Sequence, residues 1–315
     1  MRRIWFIAAA IAVSFALVAT SAWAAITPIK VVVEPAAQYY AFGNDSYVAY
    51  NSNSKAHPDH WDALSIHRPS GAPAPRLNAA GTEGYVGGFD PGTNTALYQQ
   101  VAGDASDLYF FDLDTRKRTK VPGVNTASWE WQPRISSSYI FFFRNYSAGG
   151  DYYTGLYLWN RAKKFGTRIE AYRWSKNAWL DAGSVGDRYA SWTRCTLDTC
   201  IAYVYDTQSG RIRQIPSKNG RPQYAPTLDE ANGLVFFVRS GFGCGVEVGF
   251  WSVPLSNFSA APTKIASLPA GIDAGNMASL MPSRDGTEND LLFARIDCGR
   301  STDIYALPGV SPLGP

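Results

Sequence analysis

The segment LVFFVRSGFGCGVEVGFWSVPL, Leu234 to Leu255, has the same layout as LLFARIDCGRSTDIYALPG, Leu291 to Gly309. Each runs from an apolar strand to an arginine, through a short loop holding Cys-Gly, into a second strand that ends near a proline. Cys244 and Cys298 therefore occupy the same loop of two consecutive copies of one unit. Further copies start at Tyr139 (YIFFFRNYSAGGDYYTGLYLWN), Tyr189 (YASWTRCTLDTCIAYVYD), Ala96 (ALYQQVAGDASDLYFFDLD) and Ser46 (SYVAYNSNSKAHPDHWDALSIHR). Six hairpins recurring at roughly 45 to 55 residues predict an all-β, six-bladed propeller of four-stranded antiparallel blades.

Each hairpin supplies strands b and c of a blade. A shorter innermost strand a precedes it, as in SWEWQPRIS from Ser128 or QYAPTL from Gln223, and an outer strand d follows, as in RTKV, GTRI, RIRQI and TKIAS. The sixth unit ends in VSPLGP, too rich in Pro and Gly for a fourth strand. The β-branched run IKVVVE, residues 29–34, has no partner of its own and is expected to supply that strand and close the ring, removing a sheet edge. The expected blades span about 38–78, 80–123, 124–170, 171–216, 217–267 and 268–309 of one domain, 25–315.

The first 24 residues read as a secretory signal peptide: Arg2 and Arg3, an apolar run, then Ala22-Trp23-Ala24 before the cut. An uncleaved anchor is the alternative, since the run is long enough to span a bilayer. Cleavage would leave a secreted or periplasmic monomer with no stable membrane insertion. Four cysteines in an exported chain predict two disulfides. Cys195 and Cys200 bracket one b-to-c turn, and Cys244 with Cys298 would tie blade five to blade six, each worth roughly 2 to 4 kcal/mol; a different pairing or free thiols remain open.

The segments MPSRDGTENDLLFAR, QPRISSSYIFFFR and APTLDEANGLVFFVR resemble the P-x-x-S-x-D-G-x-x-hydrophobic-F unit of TolB-like six-bladed propellers. Asp-Gly is intact only at Asp285-Gly286, and no helical domain of the kind preceding the TolB propeller stands before the repeats. What the resemblance implies is an exported propeller that binds something, often another protein.

The b-to-c loops and the d-to-a connections share one face, and loops on a rigid scaffold commonly carry binding. Two polar rings follow from aligning the repeats. Gln38, Glu83, Glu130, Asn177, Gln223 and Asn276 stand near the start of strand a, around the channel mouth; Gln100, Arg144, Arg194, Arg239 and Arg295 end strand b, just outside it. One reading has these groups fixing blade against blade; the other makes them a ligand site together with Trp131 and Trp174, near which Trp129, Trp179 and Trp61 also lie. The ligand would be a protein or a cell-envelope glycan.

A formal net charge of +3 with dispersed basic residues argues against nucleic acid. No cofactor or metal site is expected: His57, Asp59 and His60 share a loop, but Pro58 stiffens it and no distant ligand completes the set. A non-catalytic binding or scaffold role is the first expectation. The alternative is a glycoside hydrolase-like enzyme using Glu83 and Glu130 as a facing acid pair.

Overall fold

The computed structural model describes residues 27–32, 36–54, 57–68, 70–174, 177–217, 220–239, 248–269, 271–297 and 301–313. The expected signal peptide and the Cys244–Cys298 pair lie outside the described residues. Strand β1 is Ile29–Val32. Blade one holds β2 (Gln38–Gly43), β3 (Tyr47–Ser54), β4 (His57–His67) and β5 (Pro73–Ala74); blade two holds β6 (Glu83–Phe89), β7 (Thr95–Ala102), β8 (Ala105–Asp112) and β9 (Lys117–Lys120). Blade three is β10 (Trp129–Ile135), β11 (Tyr139–Ala148), β12 (Asp151–Asn160) and β13 (Phe165–Arg173), and blade four is β14 (Ala178–Val185), β15 (Tyr189–Thr196), β16 (Cys200–Asp206) and β17 (Arg211–Gln214). Blade five is β18 (Gln223–Asp229), β19 (Leu234–Arg239), β20 (Gly249–Pro254) and β21 (Thr263–Ser267); blade six is β22 (Ile272–Pro282), β23 (Glu288–Asp297) and β24 (Ser301–Pro312).

Sheet order makes this a six-bladed propeller of four-stranded antiparallel sheets, the last ordered β1-β24-β23-β22. Ile29 faces Ala306 and Val32 faces Ile304, so the first strand closes the ring as its β-branched run suggested. Val32 is buried among Ile304, Ala306 and Leu292.

Burial explains the composition of each strand. The b strands lie between neighbouring blades and are apolar on both faces, as at Ile140 to Phe143, all buried. The outer strands face water: every residue of β9, Lys-Arg-Thr-Lys, is exposed, and such charge discourages edge-to-edge pairing with another chain. The Cys195–Cys200 disulfide staples the β15 to β16 turn, where the two residues are cross-strand partners.

On the face carrying the a-to-b turns, hydrogen bonds join every pair of neighbouring blades. Asn44 donates to Thr93 O at 2.9 Å, Arg161 pairs with Asp90 at 2.7 Å, and Ser136 donates to Gly186 O at 2.8 Å. Glu230 accepts the Asp187 and Tyr189 N–H groups, Asn232 donates to Pro312 O, and Arg68 donates to Pro282 O across the closing junction.

The turns after strand c are capped by side-chain oxygens: Asp112 accepts the Thr115 N–H at 2.8 Å, Asn160 the Lys163 N–H at 2.8 Å, and Asp206 the Gln208 N–H at 3.0 Å. Arg188 also grips Asp206 through two nitrogens, at 3.2 and 3.0 Å, and first through this pair holds its carboxyl well below the ordinary range. A depressed folded pKa adds stability that is complete above about pH 4 and is lost as pH falls toward the folded value. Asp206→Asn is therefore expected to flatten the acid limb of the stability curve below pH 4, measured by urea unfolding at stepped pH. An unchanged acid limb would refute the pairing.

Candidate functional site

Strand pairing fixes which residues are equivalent. Ser52, Gln100, Arg144, Arg194, Arg239 and Arg295 stand opposite Gln38, Gly84, Glu130, Leu180, Gln223 and Ala274 respectively. The ring at the end of strand b is thus a structural ring. The ring expected on strand a is one only at Gln38, Glu130 and Gln223. Glu83 precedes Gly84, Asn177 lies exposed ahead of β14, and Asn276, whose side chain is outside the described residues, falls in a bulge after Ala274.

Gln38, Glu130 and Gln223 are 0% exposed, so they do not surround the channel mouth. Side chains alternate along a strand, and these positions point between blades rather than at the axis. Glu130 accepts from Arg144 Nε at 2.7 Å and from the Thr126 hydroxyl at 2.6 Å, while Arg144 also donates to Val124 O. Gln223 accepts the Ala202 N–H and donates to Pro216 O, the carbonyl that Arg239 also reaches. Arg194 pairs with Glu170, Arg295 with Asp297 at 3.0 Å, and Gln100 accepts the Ala79 N–H at 3.0 Å.

All four arginines of the outer ring also stack on an aromatic of strand c. Arg144 lies over Tyr157, Arg194 over Tyr203, Arg239 over Trp251 and Arg295 over Tyr305, at 4.8, 4.5, 4.7 and 4.9 Å. Arg144 and Arg295 brace their own blades, whereas Arg194 also ties blade four to Glu170 of blade three and Arg239 holds the connection into blade five at Pro216 O. Glu83 and Glu130 cannot face each other across a cleft, because Glu130 is sealed behind its arginine.

The residues that line the mouth include Glu83 and Trp131 of the expected set, and Trp129, with others beside them. At the loop-face end of the channel, a cavity of about 280 Å³ is lined by Tyr40, Glu83, Tyr85, Trp129, Trp131 and Gln132, with Gln99 and Arg134. The Tyr85 hydroxyl donates to Glu83 at 2.8 Å, and Trp131 Nε1 donates to Asn145 at 3.1 Å. Gln132 donates to Asp181 at 3.3 Å and accepts the Ala182 N–H at 2.8 Å, spanning blades three and four.

Arg134 is 2% exposed, donates to Gly183 O at 2.8 Å and Pro133 O at 2.6 Å, and lies 4.9 Å over the Phe42 ring. Burial lowers its pKa to about 9. Burial, with the Asp181 charge second, pushes the Tyr40 hydroxyl up to about 12; burial, then Asp273 and Asp181, does the same for Tyr224. Asp181 is itself raised by burial. The shaft is a poorly solvated place whose acids and phenols sense each other across blades.

The backbone there is unusual. Tyr40, Gln132 and Ala225 have φ of 53°, 46° and 50° inside innermost strands, each where the pairing register slips. A left-handed non-glycine residue in a strand is costly, and the slip re-aims the side chain. At the far end a second cavity of about 180 Å³ has a mixed wall, with Phe42, Ile135 and Leu228 beside Arg134, Ser184 and Thr227.

Elsewhere on the loop face, Tyr152, Trp174 and Trp179 are exposed, and Trp174 donates to Thr154 at 2.8 Å. Trp61 instead packs edge-on against Tyr39. His60 lies 3.4 Å from Asp62, which Arg76 holds at 2.6 Å. Among the described residues, no three His, Cys, Asp or Glu side chains converge on a possible metal position. In the wide groove by Asp45, Arg68 and Asp285 on the opposite face, Arg68 donates to two carbonyls and Asp285 accepts from Ser283 and Thr287.

No family model matches the chain, and no curated protein does. Solved structures do. A TolB from Acinetobacter baumannii superposes with a TM-score of 0.56 at 14% identity, over 85% of this chain and 64% of that one, just under two thirds of its length. A putative TolB from Agrobacterium tumefaciens gives 0.57 at 12% identity, over 87% and 92%. An oligogalacturonate lyase in complex with manganese gives 0.55 at 11% identity, over 89% and 90%. The chain thus has the TolB-like six-bladed fold, a fold that a lyase shares.

Proposed function

We propose that this chain is an exported, non-catalytic binding propeller that takes a protein or cell-envelope ligand on its loop face, with the channel mouth between blades two and three as the recognition pocket. The observation that carries the reading is the cavity walled by Tyr40, Tyr85, Trp129 and Trp131 and floored by polar groups held in fixed positions. Concave sites with aromatic walls and a few placed polar groups are what ligands use. The Cys195–Cys200 disulfide is compatible with an oxidising compartment outside the cytosol. An acid-pair hydrolase at this mouth has no support from Glu130, which is buried against Arg144.

The test is a thermal-shift screen of the oxidised protein, residues 25–315, against glycans and cell-wall fragments, with capture of partners from envelope extracts alongside. A ligand bound only by the native state raises the melting temperature by mass action. Trp131→Ala is expected to abolish that shift or that capture while leaving the fold intact. Binding undiminished by Trp131→Ala would move the site elsewhere.

A further inference from the structure

The chemistry of the mouth points to one kind of group. Its walls are the rings of Tyr40, Tyr85, Trp129 and Trp131, and the carboxylate at its rim is Glu83. Behind the lining, Asp181 accepts from Gln132 at 3.3 Å. Against these acids stands one cation in the lining, Arg134, whose guanidinium is 2% exposed and bound to backbone carbonyls beneath Phe42. It cannot turn outward to meet an anion without abandoning Gly183 O and Pro133 O. A box of aromatic faces with a carboxylate at its edge attracts a cation through ring quadrupole and charge together.

Resting on the pocket reading above, we propose that the channel mouth receives the cationic side chain, lysine or arginine, of a peptide segment of the partner. The cavity of about 280 Å³ suits one long side chain rather than a folded surface. The exposed rings of Trp174 and Trp179 on the same face leave apolar footing for the residues that flank it. Recognition of a cation here must be local, because the formal charge is +3 for the full sequence and +1 without Arg2 and Arg3, so no net negative field draws a cation in from a distance.

The probes are acetylated, amidated tetralysine, tetra-arginine and tetraglutamate and a neutral tetrasaccharide, titrated into the full mature chain and followed by tryptophan fluorescence. Tetralysine or tetra-arginine is expected to give a saturable change, weakened about tenfold by Glu83→Gln, which corresponds to about 1.4 kcal/mol. The unliganded melting temperature of Glu83→Gln, measured in parallel, is expected to stay at the wild-type value. No saturable change with either basic peptide overturns the inference, as does equal binding of tetraglutamate or equal affinity in Glu83→Gln. A tetrasaccharide response lost in Trp131→Ala, without any response to basic peptides, would leave the pocket standing and remove only its cationic ligand. Partner capture indifferent to Trp131→Ala would remove the pocket itself.

Discussion

Glu130→Ala is expected to destabilise the protein by about 3 to 5 kcal/mol, the range for breaking a buried ion pair from one side. The Glu130 side chain is 0% exposed and that of Arg144 18%. Removing the carboxylate strands a guanidinium that lies over Phe142 and Tyr157 and retains only the Val124 carbonyl, and it leaves the Thr126 hydroxyl without its 2.6 Å acceptor. Arg144→Ala on the same background is expected to recover part of the loss, because the unpaired charge goes with it. Urea unfolding followed by tryptophan fluorescence measures both. A single-mutant cost below about 1 kcal/mol would show that water reaches the pair freely.

Gly183→Ala is expected to cost at least 1 to 3 kcal/mol, about the penalty for overpacking. A Cβ at Gly183 would sit 2.3 Å from the Pro226 carbonyl oxygen and 2.7 Å from the Ser191 hydroxyl, and Gly87 meets the Pro133 carbonyl in the same way, at 2.4 Å. Both contacts join neighbouring innermost strands near the axis. The obstacle is backbone that is itself bonded: Ser191 donates to Pro226 O at 2.7 Å, and Arg134 to Gly183 O at 2.8 Å. Relief therefore requires neighbouring blades to separate. Gly210→Ala is the control, a turn position with φ of 68° and open space around it, where only backbone strain is added. A Gly183→Ala protein with unchanged melting temperature would show that the blades slide freely at the axis.

The fold was readable because a propeller repeats its hairpins. The residues ending strand b aligned correctly, from Gln100 to Arg295, since the b and c strands pair without slips from that end and carry an aromatic and an arginine at fixed spacing. The innermost strands hid their register. Every one contains a slip, as between Trp131 and Arg134 or between Ala274 and Ala278, and the connections into them differ in length. Choosing polar residues near each strand start therefore found Glu83, which lines the mouth, along with Glu130 and Gln223, which face between blades, and missed Tyr40, Gln132, Asp181 and Tyr224. Alternation gives part of the signal: with Glu130 facing one side of its sheet, Trp129 and Trp131 take the other, where they line the mouth. The left-handed turn that brings Tyr40 there leaves no mark in composition.

The pairing of Ile29 with Ala306 also sets an order in time. Blades one to five each join strands that are neighbours in sequence, so each can assemble as soon as its own stretch of chain is available. The sixth blade cannot: its outer strand comes from the beginning of the chain and its neighbour from the end. The earliest strand to be synthesised is thus the last to find its place, after a wait that spans the synthesis of everything between. Because the entropy of closing a loop grows only with the logarithm of its length, this wait costs little in final stability. It is paid in exposure, since the β24 edge stays open to other chains until the ring shuts.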